Sequence, residues 1–216
     1  MIIAPSMLVA DFARLGQEAR ALELAGADWL HWDVMDGHFV PNLTHGALPV
    51  RACREHSDLT FNAHLMISEP LRYLDDFIDA GADIIAAHIE AEDDAREFLE
   101  AVRDAGRRPA LAISPDTPPE AVAELLPLCD MITVMGVHPG FAGQEFIEGT
   151  IGKTAEVRRL IVESGRDVHI QVDGGVGTAN IHALCQAGAD VIVSGSFVLR
   201  HPDGYAEAIR QLRALE

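Results

Sequence analysis

Short apolar runs recur at regular intervals along the chain, at Ile2–Ser6, Trp29–Val34, Leu59–His64, Ile84–His88, Pro109–Ile113, Met131–Met135, His169–Asp173 and Val191–Ser194. Runs of this length, rich in β-branched residues and bounded by turn residues, predict strands buried on both faces, the pattern of a parallel sheet. Between them the apolar positions fall at helical spacing. Three of the junctions echo one another: Ala25-Gly26-Ala27-Asp28, Ala80-Gly81-Ala82-Asp83 and Ala187-Gly188-Ala189-Asp190 each close an amphipathic stretch and open an apolar run. Glycine just past a helix supplies the left-handed stop, so the repeated unit is helix, glycine, strand. Thr117-Pro118-Pro119-Glu120 has the form of a capping box and predicts a helix between the fifth and sixth strands. A last helix is predicted over about Gly204–Leu215. Eight strands alternating with eight helices, about 27 residues per unit, predict an α/β fold: one (β/α)8 TIM barrel spanning residues 1–216 as a single domain. A doubly wound sheet would place a glycine fingerprint after the first strand, where Pro5-Ser6-Met7-Leu8 stands instead.

Composition removes several classes of function. Sixteen basic against thirty-four acidic residues leave a formal charge of −18. Phosphate backbones need cationic patches, so nucleic acid is an unsuitable partner. No run is long and apolar enough for a membrane span, and the first residues lack the pattern of a signal peptide. Three unpaired cysteines, Cys53, Cys129 and Cys185, fit a reducing compartment, and a cytoplasmic location is expected. A homo-oligomer stays open. Only one of the sixteen cations is a lysine, Lys153, and it falls on the predicted sixth helix, away from any strand end. A Schiff-base aldolase or decarboxylase on this barrel is thereby excluded.

Barrel active sites lie at the C-terminal ends of the strands. There the chain places Ser6, then His31 and Asp33, His64, Asp173, and Ser194-Gly195-Ser196. His31 and Asp33 share parity on one strand and can both face the barrel interior. With His64 and Asp173 they make a set of two imidazoles and two carboxylates, suited to one divalent ion of the Zn, Fe, Mn or Co type. The other histidines, among them His88 and His138, read as packed or solvated residues. Two glycine-rich turns, Asp173-Gly174-Gly175-Val176-Gly177 and Gly195-Ser196-Phe197, occupy the loops where barrels hold phosphate on backbone amides, a device open to an acidic protein. Val137-His138-Pro139-Gly140-Phe141-Ala142-Gly143-Gln144 reads as a plain loop or as a lid over the mouth. Met35, Met66 and Met135 read as core filler or as a collar that excludes water.

The segments Ala4-Pro5-Ser6, His31 through Asn42, His64-Leu65-Met66, Pro139 through Gln144 and Val172-Asp173-Gly174-Gly175 resemble the ribulose-phosphate 3-epimerase family, in order and spacing, from residue 2 to about 200. The resemblance implies a (β/α)8 barrel with one divalent metal held by His31, Asp33, His64 and Asp173. It implies Asp33 as proton acceptor and Asp173 as proton donor. It implies substrate contacts from Ser6, His64, Gly140, Phe141, Ala142, Gly143, Asp173, Gly174, Gly175, Gly195 and Ser196. The expected substrate is a ketose phosphate, D-ribulose 5-phosphate or D-xylulose 5-phosphate, epimerised at carbon 3 through an enediolate. The family pattern often has glycine at Ala142, aspartate at Asn62, and asparagine or aspartate at His138. These departures leave the four ligands intact and bear on substrate choice, because the related D-allulose-6-phosphate 3-epimerases share the lid and the Met-Asp-Gly-His run. Two further alternatives are a metal-dependent hydrolase and a catalytically silent sugar-phosphate binder.

Overall fold

The computed structural model describes residues 1–216. Eight parallel strands form one sheet in the order β1-β8-β7-β6-β5-β4-β3-β2: β1 (Ile2–Ala4), β2 (Trp29–Met35), β3 (Thr60–Met66), β4 (Ile84–His88), β5 (Arg108–Ile113), β6 (Met131–Met135), β7 (His169–Asp173) and β8 (Val191–Val193). The barrel closes between β1 and β2, where the amides of Asp28 and His31 donate to the carbonyls of Ile3 and Pro5, each at 3.0 Å. Helices α1 (Leu15–Leu24), α2 (Ala47–Arg54), α3 (Pro70–Asp79), α4 (Ala95–Asp104), α5 (Gly149–Ser164), α6 (Ile181–Gln186), α7 (Ser196–Leu199) and α8 (Tyr205–Arg213) follow in chain order. None is long and apolar enough to cross a membrane, and all three cysteines are free.

Strand alternation divides the core into two parts. Outward residues such as Leu30, Trp32, Phe61, Leu65, Ile132 and Val172 join the helices in one apolar cluster of 45 buried residues. Inward residues change character along the barrel axis. At the bottom Ala4, Trp29, Ile84, Ala86, Ala110, Met131 and Val191 fill the interior with apolar atoms, and Val193 carries that cluster up to the cavity. One step up, strands β2, β3, β6 and β7 carry His31, Asn62, Thr133 and Gln171, then Asp33, His64 and Asp173, and last Met35, Met66 and Met135. The register pairs Asp33 with His64 and Met35 with Met66, so polar groups meet polar groups layer by layer. The bottom is built for stability and the top for chemistry.

The Ala-Gly-Ala-Asp echo acquires a structural meaning. In each copy the aspartate Oδ2 accepts the amide of the second residue of a neighbouring strand: Asp28 from Ile3 at 2.7 Å, Asp83 from Phe61 at 2.8 Å, Asp190 from Ile170 at 2.8 Å. An arginine then bonds that carboxylate and the glycine carbonyl before it, Arg213 for Asp28, Arg54 for Asp83 and Arg158 for Asp190. Each unit thus ties a helix end, a strand start and a distant helix together at the barrel floor.

One expected element differs. The capping box at Thr117 opens no α-helix; residues Pro119–Val122 and Leu126–Leu128 form short 3-10 turns between β5 and β6. The Thr117 hydroxyl is drawn toward Glu90, to which it donates, and no amide of the following turn reaches it. Pro127 then lacks the amide that a continuing helix requires. The eighth α-helix is recovered at the other end of the chain, where the one-turn α7 precedes α8.

Candidate active site

Four side chains converge at the top of the barrel. His31 Nε2 lies 3.4 Å from Asp33 Oδ1 and 3.3 Å from Asp173 Oδ2; His64 Nδ1 lies 3.8 and 3.1 Å from the same two oxygens. All four residues are buried, and their ligand atoms lie within 4.8 Å of one another. This set suits a metal on two counts. Four ligands at about 2.1 Å around a tetrahedral divalent ion stand about 3.4 Å apart, and the four imidazole–carboxylate distances here, 3.1–3.8 Å, bracket that value. His31 Nε2 is moreover a buried nitrogen without a hydrogen-bond partner, a costly state for a polar atom unless a cation takes its lone pair. The residues fit.

Burial works against protonating His31, yet the adjacent Asp33 and Asp173 carboxylates outweigh it and raise its pKa to about 10. Burial likewise pushes the Asp173 carboxyl up, but His31 and His64 hold it well below the usual carboxylate range. Beneath His31 runs a chain of buried amides: Gln171 Nε2 stands 3.0 Å from Thr133 Oγ1, Asn62 Nδ2 2.6 Å from Gln171 Oε1 and 3.2 Å from His31 Nδ1. Gln171 thus donates to Thr133 and Asn62 donates to Gln171, and the Asn62 amide group holds the His31 ring from below at Nδ1.

Above the cluster opens a cavity of about 350 Å³. Asp33 and Asp173 reach its wall; His31 and His64 are fully buried and do not. Ser6 Oγ donates to Asp33 Oδ2 at 2.5 Å while accepting from the Leu8 amide, so one hydroxyl fixes the carboxylate and caps the turn after β1. Met35, Met66 and Met135 line the cavity, as a collar would. On one side stand Gly174, Gly175 and Gly195. Gly174 and Gly175 have φ of +105° and +69°, and a Cβ there would stand 2.4 Å from the Val137 side chain and 2.8 Å from the Phe146 backbone. Only glycine permits this turn. The amides of Gly175, Val176, Gly195 and Ser196 have no protein acceptor. Gly140, Phe141, Ala142 and Gly143 complete the wall, in a loop that Asn42 Nδ2 holds through the Gly140 carbonyl at 2.6 Å and Gln144 ties internally.

The sequence reading missed His88 and Glu90. His88, at the end of β4, is buried with Nε2 2.9 Å from His64 Nε2, and its Nδ1 lies 2.9 Å from Glu90 Oε2. Its parity with Ala86 and Ile84, both interior residues, was the available signal. Lys153 stands on α5 as expected, outside the cavity wall, and its Nζ donates to the carbonyls of Ser114, Pro115 and Thr117 at 2.9, 2.6 and 2.6 Å. Lys153→Arg should therefore leave turnover unchanged and cost about 1–3 kcal/mol of stability, since a planar fork does not reproduce three converging bonds. Parallel kinetics and denaturant unfolding check both, and a borohydride-trapped adduct at Lys153 would contradict the assignment.

Fold and site together define a (β/α)8 barrel in which two carboxylates and two imidazoles, a set able to hold a metal, gather at one mouth. The ribulose-phosphate 3 epimerase family matches residues 2–199, and the chain belongs to that family. It is 46% identical over 215 residues to the ribulose-phosphate 3-epimerase of Synechocystis sp., covering 99% of this chain and 93% of that protein. To the Escherichia coli ribulose-phosphate 3-epimerase it is 42% identical over 214 residues, covering 99% and 95%. Among solved structures, 3-hexulose-6-phosphate synthase from Salmonella typhimurium superposes with a TM-score of 0.71 at 19% identity, covering 100% of this chain and 98% of that one, a likeness of fold alone.

Proposed function

We propose that this chain interconverts D-ribulose 5-phosphate and D-xylulose 5-phosphate by proton transfer at carbon 3. The observation that carries the proposal is the placement of two carboxylates, from β2 and β7, at the floor of one small cavity rimmed by unpaired backbone amides. Those amides suit a phosphate group: Gly175, Val176, Gly195 and Ser196 offer hydrogen bonds without adding cations to an acidic protein. A sugar anchored there extends its carbonyl end toward Asp33 and Asp173.

The Asp33 carboxylate accepts the carbon 3 proton, leaving an enediolate, and Asp173, which takes up a solvent proton in each cycle against the pull of His31 and His64, delivers it to the opposite face. In the reverse direction the roles exchange, so the pair titrates jointly. Ser6 holds Asp33 Oδ2 in place throughout. Asp173 Oδ2 lies 3.1 Å from His64 Nδ1, and its Oδ1 has no protein partner, which frees it for proton delivery. The methionine collar and the Gly140–Gly143 loop keep bulk water from quenching the intermediate. Held by His31 Nε2, His64 Nδ1, Asp33 Oδ1 and Asp173 Oδ2, a Zn, Fe, Mn or Co divalent ion supplies Lewis-acid stabilisation of developing negative charge. The three free cysteines fit action in a reducing cytoplasm.

Turnover in D2O tests the reaction: deuterium should enter carbon 3 as the epimers interconvert, whereas a silent binder would leave that position protonated. The substrate is tested by kcat/KM on one preparation with one metal. A cavity of about 350 Å³ is near the lower end for ligand sites, and a single extra group is worth about 1–3 kcal/mol of discrimination. The five-carbon substrate should be favoured over D-allulose 6-phosphate by about tenfold or more; a ratio favouring the six-carbon sugar would move the assignment to the hexulose epimerases.

A further inference from the structure

A chain of polar groups leaves the site on the His64 side and plays no part in the mechanism above. His64 and His88 stand edge to edge, their ring centroids 5.0 Å apart and planes inclined by 17°, their Nε2 atoms 2.9 Å apart. His88 Nδ1 faces Glu90 Oε2 at 2.9 Å, with Ser114 Oγ farther off at 3.4 Å. The other Glu90 oxygen, Oε1, accepts the Ser114 amide at 2.9 Å and the Thr117 hydroxyl. Lys153 clamps the backbone of that same loop from α5. Glu90 is therefore an acceptor surrounded by donors. Burial opposes its ionisation, but the bonds from His88, Thr117 and Ser114 prevail and bring its pKa to about 2.

The direction of every hydrogen along the chain follows. An ionised carboxylate only accepts, so His88 carries its proton on Nδ1. His88 Nε2 is then a lone pair, and the contact at 2.9 Å requires His64 Nε2 to be the donor. With its proton on Nε2, neutral His64 presents a bare Nδ1 to the two carboxylate oxygens 3.1 and 3.8 Å away. A lone pair facing carboxylates is favourable only with a cation between them. We infer that Glu90 and His88 are positioning residues that fix His64 in the tautomer able to ligate a divalent ion through Nδ1, an inference that rests on the metal site proposed above.

The polarity of the chain gives a test that packing alone cannot imitate. In Glu90→Gln the amide oxygen stays with the Ser114 amide, and the NH2 group then faces His88 Nδ1. That reverses both imidazoles and puts the His64 proton on Nδ1, inside the site. Glu90→Ala removes the director without imposing the opposite sense. Zn²⁺ affinity of the full chain, measured by competition with a chromophoric chelator, should fall about 10–100-fold in Glu90→Gln and by less in Glu90→Ala. A structural role for Glu90 predicts the reverse order, because glutamine fills the same space. The tautomers are read directly from the imidazole ¹⁵N shifts of the unsubstituted, metal-free protein, where His88 should be the Nδ1–H form. An Nε2–H form of His88, or Zn²⁺ bound by Glu90→Gln as tightly as by the parent, would overturn the inference. Failure of the parent to bind Zn²⁺ would refute the metal site itself, and the tautomer of His88 would still decide the relay.

Discussion

Asp33→Asn and Asp173→Asn are each expected to lose about three or more orders of magnitude in kcat, the scale on which a positioned acid or base acts, added to the loss of a metal ligand. The expectation rests on position. Both carboxylates reach the cavity wall while their imidazole neighbours do not. Asparagine preserves volume, and the Ser6 hydroxyl that bonds Asp33 Oδ2 at 2.5 Å can bond an amide oxygen there, so the fold should survive. What is lost is the capacity to carry a proton. The two variants should also fail differently. With Asp33 intact, Asp173→Asn can still exchange the carbon 3 proton of one epimer with solvent, and Asp33→Asn that of the other. NMR of each epimer in D2O reads this as washed-in deuterium without epimerisation. Metal content must be measured in both, because a vacated site would mimic lost proton transfer. If both variants keep the metal and either turns over normally, the two-carboxylate assignment is wrong.

Most of this site is legible in the sequence because a parallel barrel writes its interior in a period of two. The run from Trp29 to Met35 is buried throughout, and alternation alone separates inward His31, Asp33 and Met35 from outward Leu30, Trp32 and Val34. Strand positions follow for the same reason, to within a residue or two at their ends. The connection before β6 is not legible, since Thr117 has the right spacing for a cap but is claimed by Glu90, a residue 27 positions away. His88 is hidden by its neighbours: Ile84-Ile85-Ala86-Ala87 reads as ordinary core, and a single histidine at its end reads as ordinary rim. Asn62, Gln171 and Thr133 share parity with the clustered histidines and aspartates, yet their linkage crosses three strands and appears only with the register. The Ala-Gly-Ala-Asp echo is plain in the sequence, while its arginine partners come from α8, α2 and α5 by no common spacing.

Removing the divalent ion should abolish epimerisation, lowering turnover by about three orders of magnitude or more, and should leave the barrel folded. The two halves of this expectation have separate physical grounds. Folding does not depend on the ion, because the 45-residue outer cluster and the apolar floor of the barrel lie away from the cavity except at Val176 and Val193. The emptied cluster is also partly compensated, since Asp33 and Asp173 hold His31 protonated with a pKa near the value of about 10, against the opposition of burial. That imidazolium lies between the two carboxylates and offsets part of their charge. Catalysis has no such substitute. A proton on His31 is fixed below the cavity wall, whereas the charge developing on the sugar lies within the cavity. Reconstitution should then follow donor chemistry: Zn²⁺, Mn²⁺, Co²⁺ or Fe²⁺ restores activity on a set of two imidazoles and two carboxylates, and Ca²⁺ or Mg²⁺, which prefer all-oxygen shells, does not. Elemental analysis beside kinetics and circular dichroism reads all three parts. Full activity in protein shown to hold no metal would remove the Lewis-acid role and leave Asp33 and Asp173 to carry the chemistry alone.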